Sequence, residues 1–145
     1  MNQIESTQEL IPPPLSTTPL TVANDTRETI LVVEDEALVR EVMCEILVCQ
    51  GYRVLKARRA AEARTMFRRC KQAVALLLTD VVLPDKNGRV LAQELQEICP
   101  ELRAILISGY PNSALQAELI TEGIPYLPKP FSAESLLEKV KLALG

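Results

Sequence analysis

The chain has 145 residues, 48% of them hydrophobic and 24% charged, with a net charge of −3 and no histidine. That length supports one domain with a real core, and the composition is ordinary for a folded water-soluble chain. The missing histidine excludes Ser-His-Asp and Cys-His catalysis and a His-ligated zinc, while the near-neutral balance and 3% aromatics argue against a nucleic-acid face.

Residues 1–28 stand apart. "IPPPLSTTPL" has neither helical nor strand period, and this segment carries the whole net charge. A disordered Pro/Ser/Thr-rich arm is expected there, with one folded domain over 29–145. The arm has no apolar signal core and no basic residue before Arg27, and no stretch approaches the ~20 apolar residues of a membrane span. A cytoplasmic protein without membrane contact is expected. The cysteines Cys44, Cys49, Cys70 and Cys99 form no CxxC pair and fall in helical segments, so reduced, mostly buried thiols are expected.

From Thr29 the pattern alternates. "TILVV" reads as a strand. The helix after it places Val39, Val42, Met43, Ile46 and Leu47 at helical spacing and stops at Gly51. "YRVLKA" and "AAEARTMFRRC" give the second strand and helix. "AVALLLT" is a continuous apolar run suited to a strand buried on both faces. "RVLAQELQEIC" is a helix halted before Pro100, and "KNG" before it reads as the turn that opens it. "RAILIS" and "SALQAELITEG" give the fourth pair. "PYLPK" holds a very short fifth strand, and "SAESLLEKVKLAL" is a last helix with Ser132 as N-cap. Five strands alternating with five helices predict an α/β fold, a parallel sheet with helices on both faces.

In such sheets the ligand crevice lies outside the carboxyl ends of the strands. The residues gathered there are Glu34, Asp35 and Glu36, then Asp80, then Ser108 and Gly109, then Lys129 and Pro130. Clustered carboxylates repel at low dielectric and call for a cation, and all-oxygen donors favour Mg²⁺. A phosphoryl group beside the metal would accept Lys129 as a point charge and Ser108 as a hydrogen-bond donor, with Gly109 leaving room. Asp80 is then placed to take the phosphoryl group as an aspartyl phosphate.

The segments "ILVVEDE", "LLLTDVVLPDKNG", "ILISGY" and "YLPKPF" together resemble the receiver domain of two-component response regulators, and "SGYP" with "LPKPF" is most similar to receivers of hybrid sensor histidine kinases. The resemblance implies a flavodoxin-like, doubly wound sheet of order 2-1-3-4-5. It implies Asp80 as phosphoacceptor, Asp35, Asp80 and the backbone carbonyl of Val82 as Mg²⁺ ligands, and Glu34 as an indirect one. Ser108 would be the switch hydroxyl, Tyr126 the switch aromatic and Lys129 the phosphate-contacting lysine, with a cis Lys129–Pro130 bond. The expected partners are a sensor histidine kinase or a histidine phosphotransfer protein. Downstream, the helix 4–strand 5–helix 5 face would bind another protein or a second copy. No enzymatic activity is expected beyond the domain's own phosphorylation and dephosphorylation.

Three other readings were weighed. A Mg²⁺-dependent phosphatase with an aspartyl nucleophile needs a second acid two residues on, where this chain has Val82. A flavin-binding protein needs a hydroxyl- and glycine-rich loop where Glu34-Asp35-Glu36 would repel a phosphate. A phosphorylation-independent docking receiver would not require the complete acid pocket. Around the second helix, "ARRAAEA" replaces the Asn-Gly or Asp-Gly turn frequent in the family. Arg58, Arg59, Arg64, Arg68 and Arg69 read as a solvated face.

Overall fold

The computed structural model describes residues 27–70, 73–109 and 113–145. The expected disordered arm, apart from its last two residues, lies outside these. In chain order the elements are β1 (Thr29–Val33), α1 (Ala37–Cys49), β2 (Arg53–Ala57), α2 (Ala60–Cys70), β3 (Val74–Asp80), α3 (Gly88–Ile98), β4 (Arg103–Ser108), α4 (Ser113–Thr121), β5 (Tyr126–Pro128) and α5 (Ala133–Leu144). The strands form one sheet of order β2-β1-β3-β4-β5, parallel at every pairing, as expected.

Successive strand residues face opposite sides, so each central strand feeds two cores. On one side Leu31, Val33, Leu77 and Leu106 pack with Phe67, Leu91, Leu95 and Leu119 of the helices α2, α3 and α4. On the other, Ile30, Val32, Leu78 and Ile105 pack with Met43 and Leu47 of α1 and with Leu136 and Val140 of α5. A strand covered on both faces reads as an unbroken apolar run, which is why β1 and β3 were legible at once.

The helix ends follow local chemistry. α1 stops where Gly51 adopts φ +104°, a conformation that favours glycine. Asn87 caps α3 by accepting from the Arg89 N–H at 2.7 Å. Ser132 caps α5, accepting from the Ser135 N–H at 3.0 Å, while the Ser135 hydroxyl returns a bond to the Ser132 N–H.

Several expectations need correction. Asp80 is the last residue of β3 rather than the first beyond it. Val42 is 51% exposed, because α1 carries apolar residues outside its buried stripe. The four cysteines are free, but only Cys44 is buried; Cys70 and Cys99 are half-buried and Cys49, at the end of α1, is exposed. Cys99 caps α3 rather than belonging to it. Among the described residues no helix is long and apolar enough to cross a membrane.

Candidate functional site

Strand register brings the site together. Val33 pairs with Thr79, so one rung further Glu34 stands beside Asp80. Ser108 pairs with Pro128, so Lys129 follows at the same edge. The ladder continues past the strands: the Glu34 N–H donates to the Ala57 carbonyl at 3.0 Å, and the Lys129 N–H to the Ser108 carbonyl at 2.8 Å. The Lys129–Pro130 bond is cis, as expected.

Glu34 is wholly buried. Its Oε2 accepts from the Glu36 N–H at 3.1 Å. Its Oε1 lies 2.9 Å from Lys129 Nζ, an ion pair. Burial pushes the Glu34 carboxyl above the usual range; the Lys129 ammonium and the Glu36 N–H pull it back in part, and the Asp80 charge pushes it up further. Asp80 is nearly buried, with Oδ1 accepting from the Val82 N–H at 3.0 Å and Oδ2 2.8 Å from Lys129 Nζ. Burial would lower the Lys129 pKa, but its bonds to Asp80 and Glu34 outweigh that and hold it well above the ordinary lysine value.

One carboxylate oxygen each from Glu34, Asp35 and Asp80 can lie within 4.8 Å of the others. Three carboxylates against the single Lys129 ammonium leave two negative charges. That surplus and the hard oxygen donors fit a divalent cation held partly through water.

The remaining site residues are arranged around this cluster. Ser108 is buried at the end of β4. Val82 is tied to Asp80 through its N–H, with its side chain 59% exposed at the rim. Tyr126 is half-buried one strand further and packs with the core under α2, α3 and α4. It pairs with Leu106, and Ser108 lies two residues beyond Leu106, so Ser108 and Tyr126 project from the same sheet face. A methyl at Gly109 would meet Lys129 Cδ at 3.6 Å, an ordinary contact.

Three residues around the site had no role in the sequence reading. Gly88 packs against the Asp80 carbonyl, although "KNG" was read as a turn only. Asp85 accepts from the N–H groups of Ala60 and Ala61, both at 2.9 Å, and so caps α2 from another loop. Arg40 bonds the backbone that carries the acids. The arginines near α2 behave as a solvated face, with Arg58 paired to Glu62 and Arg64 to Glu94.

The doubly wound parallel sheet of order 2-1-3-4-5, with three acids and a lysine at its carboxyl edge, belongs to the flavodoxin-like class of folds. The sequence profile of the response regulator receiver domain matches residues 30–141, and the chain belongs to that family. It is 35% identical over 114 residues to the sensor kinase CckA of Brucella abortus, covering 78% of this chain and 12% of that protein. It is 36% identical over 120 residues to the transcriptional regulator NtrC of Azospirillum brasilense, covering 81% and 24%. The chain therefore spans a quarter or less of the length of these curated relatives. Among solved structures, the receiver domain of the hybrid histidine kinase CckA matches with a TM-score of 0.69 and 32% identity, covering 81% of this chain and 99% of that one. A receiver domain from Clostridium thermocellum matches with a TM-score of 0.74 and 25% identity, covering 81% and 94%.

Proposed function

We propose that this receiver, with its domain over 29–145 following a Pro/Ser/Thr-rich arm over 1–28, is a phosphoryl-accepting switch of a two-component phosphorelay. Asp80 accepts the phosphoryl group from a phosphohistidine. One Asp80 carboxylate oxygen attacks phosphorus, the P–N bond breaks, and its electron pair returns to the donor imidazole. Asp35, Asp80 and the Val82 carbonyl would hold Mg²⁺, with Glu34 an indirect partner. The metal supplies charge neutralisation at the phosphoryl oxygens. Lys129 and the Ser108 hydroxyl bind the same oxygens once they are in place, and Ser108 moving toward them leaves room for Tyr126 to turn. That change would alter the α4–β5–α5 face for a downstream protein or a second copy. The only chemistry asked of the domain is formation and loss of its own acyl phosphate.

The observation that carries this reading is the Asp80 carboxylate held between Lys129 at 2.8 Å and two further acids. An apolar rim supports a protein donor: Leu38, 82% exposed, lies with Val42 and Phe131 beside Lys129. Exposed aliphatics there offer a partner apolar contact next to the reacting carboxylate. The relatedness to the receiver of a hybrid histidine kinase agrees with a kinase or a phosphotransfer protein as donor. Val82 in place of a second acid disfavours a phosphatase.

The test is labelling by acetyl phosphate and by a phosphohistidine donor, with Mg²⁺, in wild type and Asp80→Ala. Labelling of wild type alone is expected, with both proteins folded by circular dichroism. Equal labelling of the variant would overturn the assignment of Asp80.

A further inference from the structure

Arg40 belongs to α1, yet its side chain turns back to the loop that carries the acids. Its Nη1 donates to the Glu34 carbonyl at 2.9 Å and reaches the Asp35 carbonyl at 3.5 Å. The side chain is only 13% exposed, and its other contact, Glu41 at 3.9 Å, is an exposed and weak pair. The two carbonyls belong to two of the three acids in the cluster.

The two acids differ in how they are otherwise fixed. Glu34 is buried, its N–H continues the ladder to Ala57, and its carboxylate holds the Glu36 N–H. Asp35 is exposed, and among the described residues no hydrogen bond ties its carboxylate. Its direction depends on the peptide planes on either side of it: the Glu34 carboxylate holds the Asp35–Glu36 plane through the Glu36 N–H, and Arg40 holds the Glu34–Asp35 plane through its carbonyl. One guanidinium nitrogen donating to the Glu34 carbonyl at 2.9 Å restrains the peptide plane that leads into Asp35, with the Asp35 carbonyl a weaker second contact at 3.5 Å. Residues that orient metal ligands without touching the metal commonly control affinity.

We propose that Arg40 is a positioning residue for the cation site, holding the Glu34–Asp35 backbone so that Asp35 is presented toward Asp80. The inference rests on the reading of Asp35 and Asp80 as Mg²⁺ ligands. Charge and position act in opposite directions here. A nearby guanidinium repels a divalent cation, so removing only its field would tighten binding. Losing the loop's fixed geometry would weaken it. The sign of the change in affinity separates the two.

MgCl₂ is titrated into the full chain, following amide nuclear magnetic resonance shifts of Asp35 and Val82, for wild type, Arg40→Met, Arg40→Lys and Asp35→Asn. Arg40→Met is expected to bind Mg²⁺ roughly tenfold more weakly, with its thermal melt recorded alongside. Arg40→Lys keeps the charge and one donor and is expected to fall between. Wild-type or tighter binding in a folded Arg40→Met overturns the proposal. If that variant does not fold, Arg40→Lys decides alone: intermediate affinity supports it and wild-type affinity overturns it. A wild-type chain that binds no Mg²⁺, or an Asp35→Asn variant that binds normally, overturns the ligand assignment and this inference with it.

Discussion

Gly88, the first residue of α3, packs onto the backbone carbonyl of Asp80. A methyl group on its α-carbon would overlap the Asp80 oxygen, crowd the carbonyl carbon at 2.9 Å and press on the Thr79 hydroxyl at 3.0 Å. All of this is backbone or buried side chain, so little can yield. The Gly88 N–H also donates to the Val81 carbonyl at 2.7 Å. The start of α3 is thus seated on the strand end that carries the proposed phosphoacceptor.

Gly88→Ala should therefore destabilise the fold by roughly 1–3 kcal/mol, the usual cost of overfilling a packed site. In an ordinary helix the same change is favourable by about 1 kcal/mol, so the sign is diagnostic. Urea unfolding of the variant measures it. Acetyl-phosphate labelling should fall as well, since the strain is relieved at Asp80 or not at all. A more stable, fully labelled variant would show that the helix start is free to move.

Asp85 links the loop after β3 to α2. Although partial desolvation opposes it, the hydrogen bonds from Ala60, Ala61 and its own backbone N–H hold the Asp85 carboxyl below the usual range. A depressed folded-state pKa contributes stability above the unfolded value of about 4 and loses it as pH falls through the lower folded value. Asp85→Ala should cost about 1 kcal/mol at neutral pH, as for other lost helix caps. The gap between variant and wild type should shrink below pH ~4. Thermal melts of both proteins at neutral and acid pH check this, and a pH-independent gap would count against the charged cap.

Arg89 reaches from α3 to the far side of α4. It pairs with Glu118 at 3.1 Å and with Glu122 just past the helix end, and its pKa is raised by the hydrogen bonds to Glu122 and Glu118. Among the described side chains of α4 only Leu119 is buried, with Leu115 half-buried on the same core, so this pairing adds to a small apolar anchor. Arg89→Gln should lower global stability by under ~1 kcal/mol, as for exposed ion pairs. Hydrogen exchange should quicken several-fold in α4 and stay unchanged in β1 and β3. Unaltered exchange in α4 would place its anchoring elsewhere.

The lifetime of the proposed aspartyl phosphate depends on water lined up with the phosphorus. Val82 stands at the rim with an exposed side chain that cannot hydrogen-bond water. Tyr110, two residues after Ser108 and a second expected rim position, lies outside the described residues. Slow decay is expected, over many minutes rather than seconds, and Val82→Asn should quicken it. Loss of label after donor removal, compared in the two proteins, gives the answer. Decay in seconds, or no acceleration, would mean that the rim does not set the lifetime.

The fold was legible because burial on both faces leaves an unmistakable signal. "LLLTD" needs no alignment to read as a central strand, and strand ends in such a sheet must converge. Glu34, Asp80, Ser108 and Lys129 are therefore marked by their place at the strand ends alone. Arg40, Asp85 and Gly88 are not. Each acts on backbone that folding alone brings near: Asp85 meets a helix start 25 residues away. Nothing local marks a glycine chosen for proximity to a distant carbonyl. Helical period also failed to tell which apolar residues of α1 face inward, because Leu38, Val42 and Val48 are apolar and exposed.

The ion pairs of Lys129 with Glu34 and Asp80 join the beginning, middle and end of the domain. No contiguous fragment that omits β1 or β5 contains the whole cluster. A nascent chain, a proteolytic remnant or a partly unfolded molecule would hold carboxylates without their ammonium, or the reverse. On the proposed reading, competence to receive a phosphoryl group becomes a certificate of completed folding, issued only when the last strand has docked.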